Sequence, residues 1–363
     1  MPQRRRSVLV RELFRSEGDV TREVGHAASQ DQIPECAHPG SVREHCPSAE
    51  SARTSVSVII PAYNMAWCLT RAVGSCLSQT RAPSEIIIVD DCSPDDTTLI
   101  VRELMARDCR IRYHRLSDNG GHLAALQHGL RRSTSAWAAL LDADDELTPD
   151  SIERRIDAAG RYHTETGEWP QLVYGDLYWN EVAPGRMAHF KVLRGRGFRF
   201  LCRELSLCQT STIMLGREAI SHFPEVTNPY NTDDEIVLAV GKHFPLVHAG
   251  TPVAVVHAHA SPTRMTNSLL LKFRGIRQLV QNHRADIVRE HGRRHLFLWR
   301  LRIVRAFLEW QNEWAGRKTA TYVGDGVGET LLRSSCLQYG QITREAHRRL
   351  TSWLESRFEQ MYF

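Results

Sequence analysis

The chain has 363 residues, 42% hydrophobic and 24% charged, which suits one or two globular domains with a sizeable core and excludes a disordered or fibrous protein. No stretch reaches the roughly 18 consecutive apolar residues of a membrane span, and the first fifty lack the apolar run of a secretory leader, so a soluble, cytoplasmic protein is expected. The net charge of +4 divides unevenly: residues 1–55 set eight Arg against eight acids, residues 264–363 set sixteen Arg and two Lys against nine acids, and residues 56–263 are left at −5. An acidic centre excludes a nucleic-acid partner, which needs a continuous basic face.

In chain order, residues 1–54 show no sustained helical or strand period and read as a mobile extension. Val56–Ile60 is a β-branched run closed by Pro61, a buried strand. Leu69, Val73, Cys76 and Leu77 then stand at helical spacing within Met65–Leu77. Glu85–Val89 is a second buried strand, ending at Asp90-Asp91. Ser93-Pro94-Asp95-Asp96 predicts a helix start, with Ser93 as N-cap and Pro94 in the first turn, running to Arg107 with Leu99, Ile100, Leu104 and Met105 inward. A short strand at Arg110–Arg115 leads through Asn119-Gly120-Gly121 into a helix at His122–Arg131. Ala136–Leu141 is a third buried strand, and Thr148-Pro149 opens a helix to Tyr162. Beyond Leu269 the apolar spacing is helical, which predicts a helical subdomain or a flank packed on the sheet. Strands alternating with helices at this spacing imply right-handed crossovers and an α/β fold around a mainly parallel sheet. Three parts follow: an extension over 1–54, an α/β domain over 55–263, and a helical region over 264–363.

Nine scattered cysteines include no C-x-x-C pair and are odd in number, which favours reduced, buried thiols. Cys36, His38, His45 and Cys46 cluster, but their spacing matches no zinc pattern.

In an open parallel sheet, ligands bind outside the carboxyl ends of the strands. Three strands here end in polar clusters: Pro61-Ala62-Tyr63-Asn64, Asp90-Asp91 and Asp142-Ala143-Asp144-Asp145. Parallel packing brings them to one edge, where a ring for stacking and a carboxylate group for a hard cation suit a nucleoside diphosphate. Taken singly, each aspartate is as well explained as a turn or cap residue.

The segments Val56–Asn64, Ser78-Gln79-Thr80, Glu85–Ser93 and Leu141–Asp145, in this order and spacing, resemble family 2 glycosyltransferases of the GT-A fold. The likeness runs from about Ser55 to Val256. It implies an inverting, metal-dependent enzyme using a UDP-sugar, with Mn2+ or Mg2+ as the cation. Pro61 and Tyr63 would border the uracil, Tyr63 stacking on it, and Asp91 would accept a hydrogen bond from that ring. Asp90 either takes that role instead or only holds the turn. Asp142 and Asp144 would be the D-x-D motif, Asp142 toward the ribose and Asp144 on the metal. The acidic run Asp233-Asp234-Glu235 stands where the family carries its base, which implies Asp234 in that role and Asp233 as its alternative. The same acids also favour the positive end of a helix capped by Thr232.

Two departures from the family pattern stand out. Leu126-Gln127 replaces an Arg-Asn pair, so a cationic contact to the donor is absent or is supplied by His122 or His128. Val256-His257-Ala258-His259 replaces an Arg-x-His pattern, which makes His259 a weaker candidate for the diphosphate or metal. Asp176, after the strand-like Leu172–Tyr174, is a weaker candidate for the donor sugar.

The acceptor falls to the least recognisable segments: Trp179–Phe200, Cys208–Met214 and the helical tail. The acidic domain suits a soluble cationic acceptor, an aminoglycoside-type natural product and hence antibiotic biosynthesis. The alternative is a cell-surface glycan or lipid-linked saccharide, with the basic tail in peripheral contact with anionic lipid. A sugar-nucleotide pyrophosphorylase would need a basic glycine-rich loop where Pro61–Asn64 stands. A non-catalytic UDP-binding regulator is expected to lack Asp144 or Asp234, and both are present.

Overall fold

The computed structural model describes residues 52–180, 186–188, 208–224, 232–257, 275 and 278–293. Its elements are β1 (Val56–Ala62), α1 (Ala66–Leu77), β2 (Glu85–Asp90), α2 (Thr97–Arg107), β3 (Ile111–Arg115), α3 (His122–Arg132), β4 (Trp137–Leu140), β5 (Glu146–Leu147), α4 (Ser151–Thr166), β6 (Leu172–Trp179), β7 (Arg186–Ala188), β8 (Met214–Gly216), α5 (Arg217–Ile220), α6 (Thr232–Gly241) and β9 (Leu246–Val256). A single 3-10 turn, Thr210–Thr212, precedes β8.

Among the described residues the strands form one sheet in the order β3-β2-β1-β4-β8-β6-β9-β5, with β7 paired to β6. β1 runs parallel to β2 and β4, β2 to β3, and β6 to β9. β8 runs antiparallel between β4 and β6. This reversal decides where the site's parts fall. Because β8 points the other way, the turn that precedes it lies beside the carboxyl end of β4. β9 shares the direction of β6, so His257, just past its end, reaches that same edge.

The core lies on both faces of the sheet. One face packs Ile59, Val89 and Leu140 under Leu123, Leu126 and Leu130 of α3. The other packs Val58, Ile60 and Ile88 under Leu69, Val73 and Cys76 of α1. Gly129 allows α3 to lie this close, since a Cβ there would stand 2.5 Å from Ile59 Cγ2. The Gln79 side chain explains why the segment Ser78-Gln79-Thr80 has its form. Its amide donates to the Thr148 carbonyl at 2.7 Å and accepts from the Ile152 N–H at 3.1 Å, pinning the end of α1 to the start of α4.

Three local expectations are corrected. β1 continues through Pro61 to Ala62. Odd-numbered residues of β1 face β4, whose pairing stops at Ile59↔Leu140, so the N–H that proline lacks has no ladder partner to lose. Helix α2 starts at Thr97, not at Ser93-Pro94. The Ser93 N–H instead donates to Asp90 Oδ1 at 2.7 Å, and Asp95 Oδ1 takes the Thr97 hydroxyl at 2.6 Å. Leu99 is 56% exposed, and Thr97, Val101 and Leu104 form the buried side of α2.

Arg155 of α4 is fully buried. Its guanidinium donates to the Ile213 carbonyl at 3.2 Å, the Ser151 carbonyl at 3.2 Å and the Ser151 hydroxyl at 2.9 Å. Burial brings its pKa down to about 9, which leaves it cationic at neutral pH.

The helical residues 278–293 join the core through Leu279, Val280 and Ile287, which share a cluster with Ile236, Val237, Leu238 and Val240 of α6. Among the described residues no helix is long and apolar enough to cross a membrane.

Candidate functional site

The carboxyl end of β4 carries the densest charge at the sheet edge. Asp142, Asp144 and Asp145 each offer a carboxylate oxygen, and these oxygens all lie within 4.8 Å of one another. Three hard oxygen donors at that spacing fit a divalent cation such as Mg2+ or Mn2+ and would suit a soft metal poorly.

Asp145 is the buried member of the three. Its Oδ2 accepts from the Ser211 hydroxyl at 2.6 Å, and its Oδ1 accepts from the His257 N–H at 3.3 Å. Ser211 also accepts from the Asp142 N–H at 3.1 Å. Burial, then the neighbouring charges of Asp144 and Asp142, raises the Asp145 carboxyl well above the usual carboxylate range. The His257 ring meets Glu146 Oε1 at 2.7 Å and Asn180 Nδ2 at 3.1 Å. On the α1 side, Arg71 Nη2 donates to the Asp144 carbonyl at 2.7 Å.

His122, the first residue of α3, stands over this corner with its Nε2 2.7 Å from Asp142 Oδ1. Burial opposes its cationic form. The Asp142 carboxylate overcomes that, helped by Asp233 and Asp144, and holds the pKa above its ordinary value. His122 is thus the described link between the β4 acids and α6. Leu126, where the family pattern has Arg, is fully buried in the core, and Gln127 donates to the Pro224 carbonyl. His128 lies nearer the far end of α3 and accepts from Arg132 Nε at 2.7 Å.

At the end of β2 the two aspartates are well supplied with donors. Asp90 accepts from the Ser93 N–H, the Tyr113 hydroxyl and Arg115 Nη1, the last at 2.6 Å. It thereby holds the turn. Asp91 accepts from the N–H groups of Gly120 and Gly121, each at 2.8 Å. Gly121 has a φ of 86°, a conformation natural to glycine, as the chain turns into α3. Tyr63, just past β1, is 39% exposed, and Pro61 lies buried within the strand.

Helix α6 opens with Asp233, Asp234 and Glu235. Asp233 is half-buried, and its Oδ1 accepts from the Asp234 N–H at 3.1 Å. Burial, then the charges of Asp234 and Asp142, pushes Asp233 up to about 7. Asp234 and Glu235 are buried. Burial, then the charges of Asp233 and Asp234, raises the Cys208 thiol well above its ordinary range.

The structure therefore brings Asp142, Asp144, His122 and Asp233 into one electrostatic neighbourhood, with Asp234 adjoining. Asp176 lies within β6, not past its end, and meets His248 Nε2 of β9 at 3.1 Å. His259 lies outside the described residues, as do most of the segment Trp179–Phe200 and most of the regions 1–54 and 264–363. Asp145 and His257 stood inside named clusters without a role of their own, and Ser211 was not singled out. Ser211 falls in the Cys208–Met214 segment assigned to the acceptor, yet it packs beneath the β4 acids.

The mixed α/β sheet, with its acids gathered at one edge, has the architecture of the GT-A fold. Residues 57–223 match the family model for glycosyl transferase family 2. The chain is 37% identical over 117 residues to the succinoglycan biosynthesis protein ExoO of Rhizobium meliloti (strain 1021), covering 31% of this chain and 33% of that protein. It is 38% identical over 102 residues to a chondroitin synthase of Escherichia coli, covering 28% of this chain and 15% of that protein. The matches thus span a third or less of these relatives' own length. The crystal structure of S. aureus TarS 1-349 in complex with UDP-GlcNAc superposes with a TM-score of 0.52 at 16% identity, covering 81% of this chain and 92% of that one. The likeness to TarS establishes the fold.

Proposed function

We propose that this chain is a metal-dependent, inverting glycosyltransferase that moves a hexose or N-acetylhexosamine from a UDP-sugar to a hydroxyl of a cell-surface glycan or lipid-linked saccharide. The observation that carries the reading is the β4 carboxylate trio, with His122 bonded to Asp142 and the charge of Asp233 in α6 within electrostatic reach. The relatives' names, succinoglycan biosynthesis and chondroitin synthase, favour a glycan acceptor. These names lend no support to the soluble aminoglycoside-type acceptor, or to the antibiotic biosynthesis, that the acidic centre suggests.

In this reading the exposed Tyr63 ring stacks on the uracil, and Asp91 keeps lone pairs for it beyond the two given to Gly120 and Gly121. Asp90 serves the turn, and Asp142 faces the ribose with His122 fixing its carboxylate. Asp144 is the principal ligand for the cation, with Asp142 and Asp145 beside it. When bound, the cation neutralises charge on the diphosphate as UDP departs. Asp234 takes the proton from the acceptor hydroxyl while that oxygen attacks the anomeric carbon. Asp233 is the alternative base, and its place toward Asp142 keeps it in contention.

The test is UDP release from a panel of UDP-sugars, with Mn2+ or with chelator, against lipid-linked saccharides, cell-surface glycans and soluble amino-sugars. Metal-dependent release stimulated by a glycan acceptor supports the proposal. Release stimulated only by an amino-sugar overturns the acceptor, and failure to bind UDP overturns the nucleotide site.

A further inference from the structure

Glu235 follows the two candidate bases directly, yet it faces the other way. It is 1% exposed, and both of its oxygens are engaged by the helical residues 278–293. Asn282 Nδ2 donates to Oε1 at 2.7 Å, and His283 Nε2 meets Oε2 at 2.7 Å. A second tier stands behind the first. Asp286 lies 3.8 Å from His283 Nδ1, is bridged by Lys242 just past α6, and is met by Arg289 at 3.1 Å. Gln278 Nε2 in turn donates to Asn282 Oδ1 at 2.9 Å, which orients that amide.

Apolar packing alone would leave α6 able to slide or roll against its neighbour, because Ile236, Val237 and Val240 meet Leu279, Val280 and Ile287 without directional bonds. A buried carboxylate held at both oxygens removes that freedom. Removing one donor leaves a desolvated charge, which the structure resists strongly. One residue along a helix turns the side chain by about 100°, so a fixed Glu235 fixes the direction of Asp234 and Asp233 as well.

We infer that Glu235, Asn282 and His283 are positioning residues, through which the helical segment 278–293 sets the orientation of the Asp233-Asp234 pair toward the β4 acids. The inference rests on the reading of that pair as the proton acceptor. It gives the segment after the transferase match a direct part in turnover, beyond covering the core.

The test uses the full chain carrying His283→Ala and His283→Gln, since glutamine restores a donor near the Nε2 position. Amide hydrogen exchange in residues 232–236 should quicken about 10-fold or more in His283→Ala, with β1 and β2 unchanged, and return toward the parent rate in His283→Gln. UDP affinity with Mn2+ should stay within about twofold in both. UDP release from the sugar panel should fall about 10-fold in kcat for His283→Ala, with little change in donor KM, and recover in His283→Gln. Unchanged exchange at 232–236, equal loosening of β1 and β2, or parent-level turnover in His283→Ala overturns the inference. Asp234→Asn and Asp233→Asn, run alongside, separate the two claims. If neither lowers turnover, the base assignment fails, whereas a dead Asp234→Asn beside a fully active His283→Ala defeats only the positioning role.

Discussion

Asp90-Asp91 at the end of β2 and Asp233-Asp234 at the start of α6 are the same dipeptide in opposite surroundings. The first pair is met by five protein donors: the Ser93 N–H, the Tyr113 hydroxyl, Arg115, and the N–H groups of Gly120 and Gly121. The second sits beside Asp142 and is crowded by like charge, and burial with that charge pushes Asp233 up to about 7. The contrast separates two uses of a carboxylate. Where donors surround it, as at Asp90, it builds a turn; where acids crowd together, it is poised to take up a proton.

The sharpest way to break this contrast is Asp144→Asn. It should lower metal-dependent UDP release by about 1000-fold or more, the scale of a lost Lewis-acid contact. Full turnover in a chelator-controlled assay would remove Asp144 from the cation site. Asp234→Asn comes next, with turnover expected to fall by about 100-fold and UDP affinity nearly intact, the scale of a lost general base. If Asp233→Asn shows the larger loss, the base moves one residue.

At the saturated pair, Asp90→Ala should cost about 2–3 kcal/mol in urea unfolding, because buried donors lose their acceptor. UDP affinity of the folded protein should hold, and a fall in affinity would make Asp90 a nucleotide ligand after all. Ser211→Ala should weaken Mn2+ affinity by about 10-fold, the lower end for a residue that supports a metal ligand, read from the Mn2+ dependence of UDP binding. The smallest expected effect is on pH. Turnover should decline as pH drops through about 7, since proton uptake by the α6 pair removes the base. Asp233→Asn should move that limb to lower pH by removing the group driven up to about 7.

The half of the site on β1, β2 and β4 was legible because each piece is a strand followed at once by its polar residues, and parallel strands collect such ends at one edge. Asp144 and Asp91 could be chosen that way. Ser211 and His257 could not, for they reach Asp145 across 66 and 112 residues and no local pattern foretells those bonds. The reversal of β8 puts Ser211 there, and a reading of strand periods leaves strand direction open. Leu99 shows the limit inside one element. Its helix was expected correctly, but it starts three residues later and buries Thr97, Val101 and Leu104, and the leucine goes to solvent. Asp176 was expected just past the strand-like Leu172–Tyr174 and lies inside the strand, since β6 runs on to Trp179.

Arg155 carries an unusual liability for anyone engineering this domain. Its charge is fully buried and held by carbonyl and hydroxyl oxygens, with no carboxylate among the described hydrogen bonds. A buried ion of that kind is a natural target for thermostabilisation, because a methionine of similar volume would avoid the desolvation cost. Yet Arg155 grips the Ile213 carbonyl, one residue past the 3-10 turn that carries Ser211 under Asp145 and Asp142. An Arg155→Met variant selected for heat resistance would thus be selected, unnoticed, for a looser floor beneath the β4 acids.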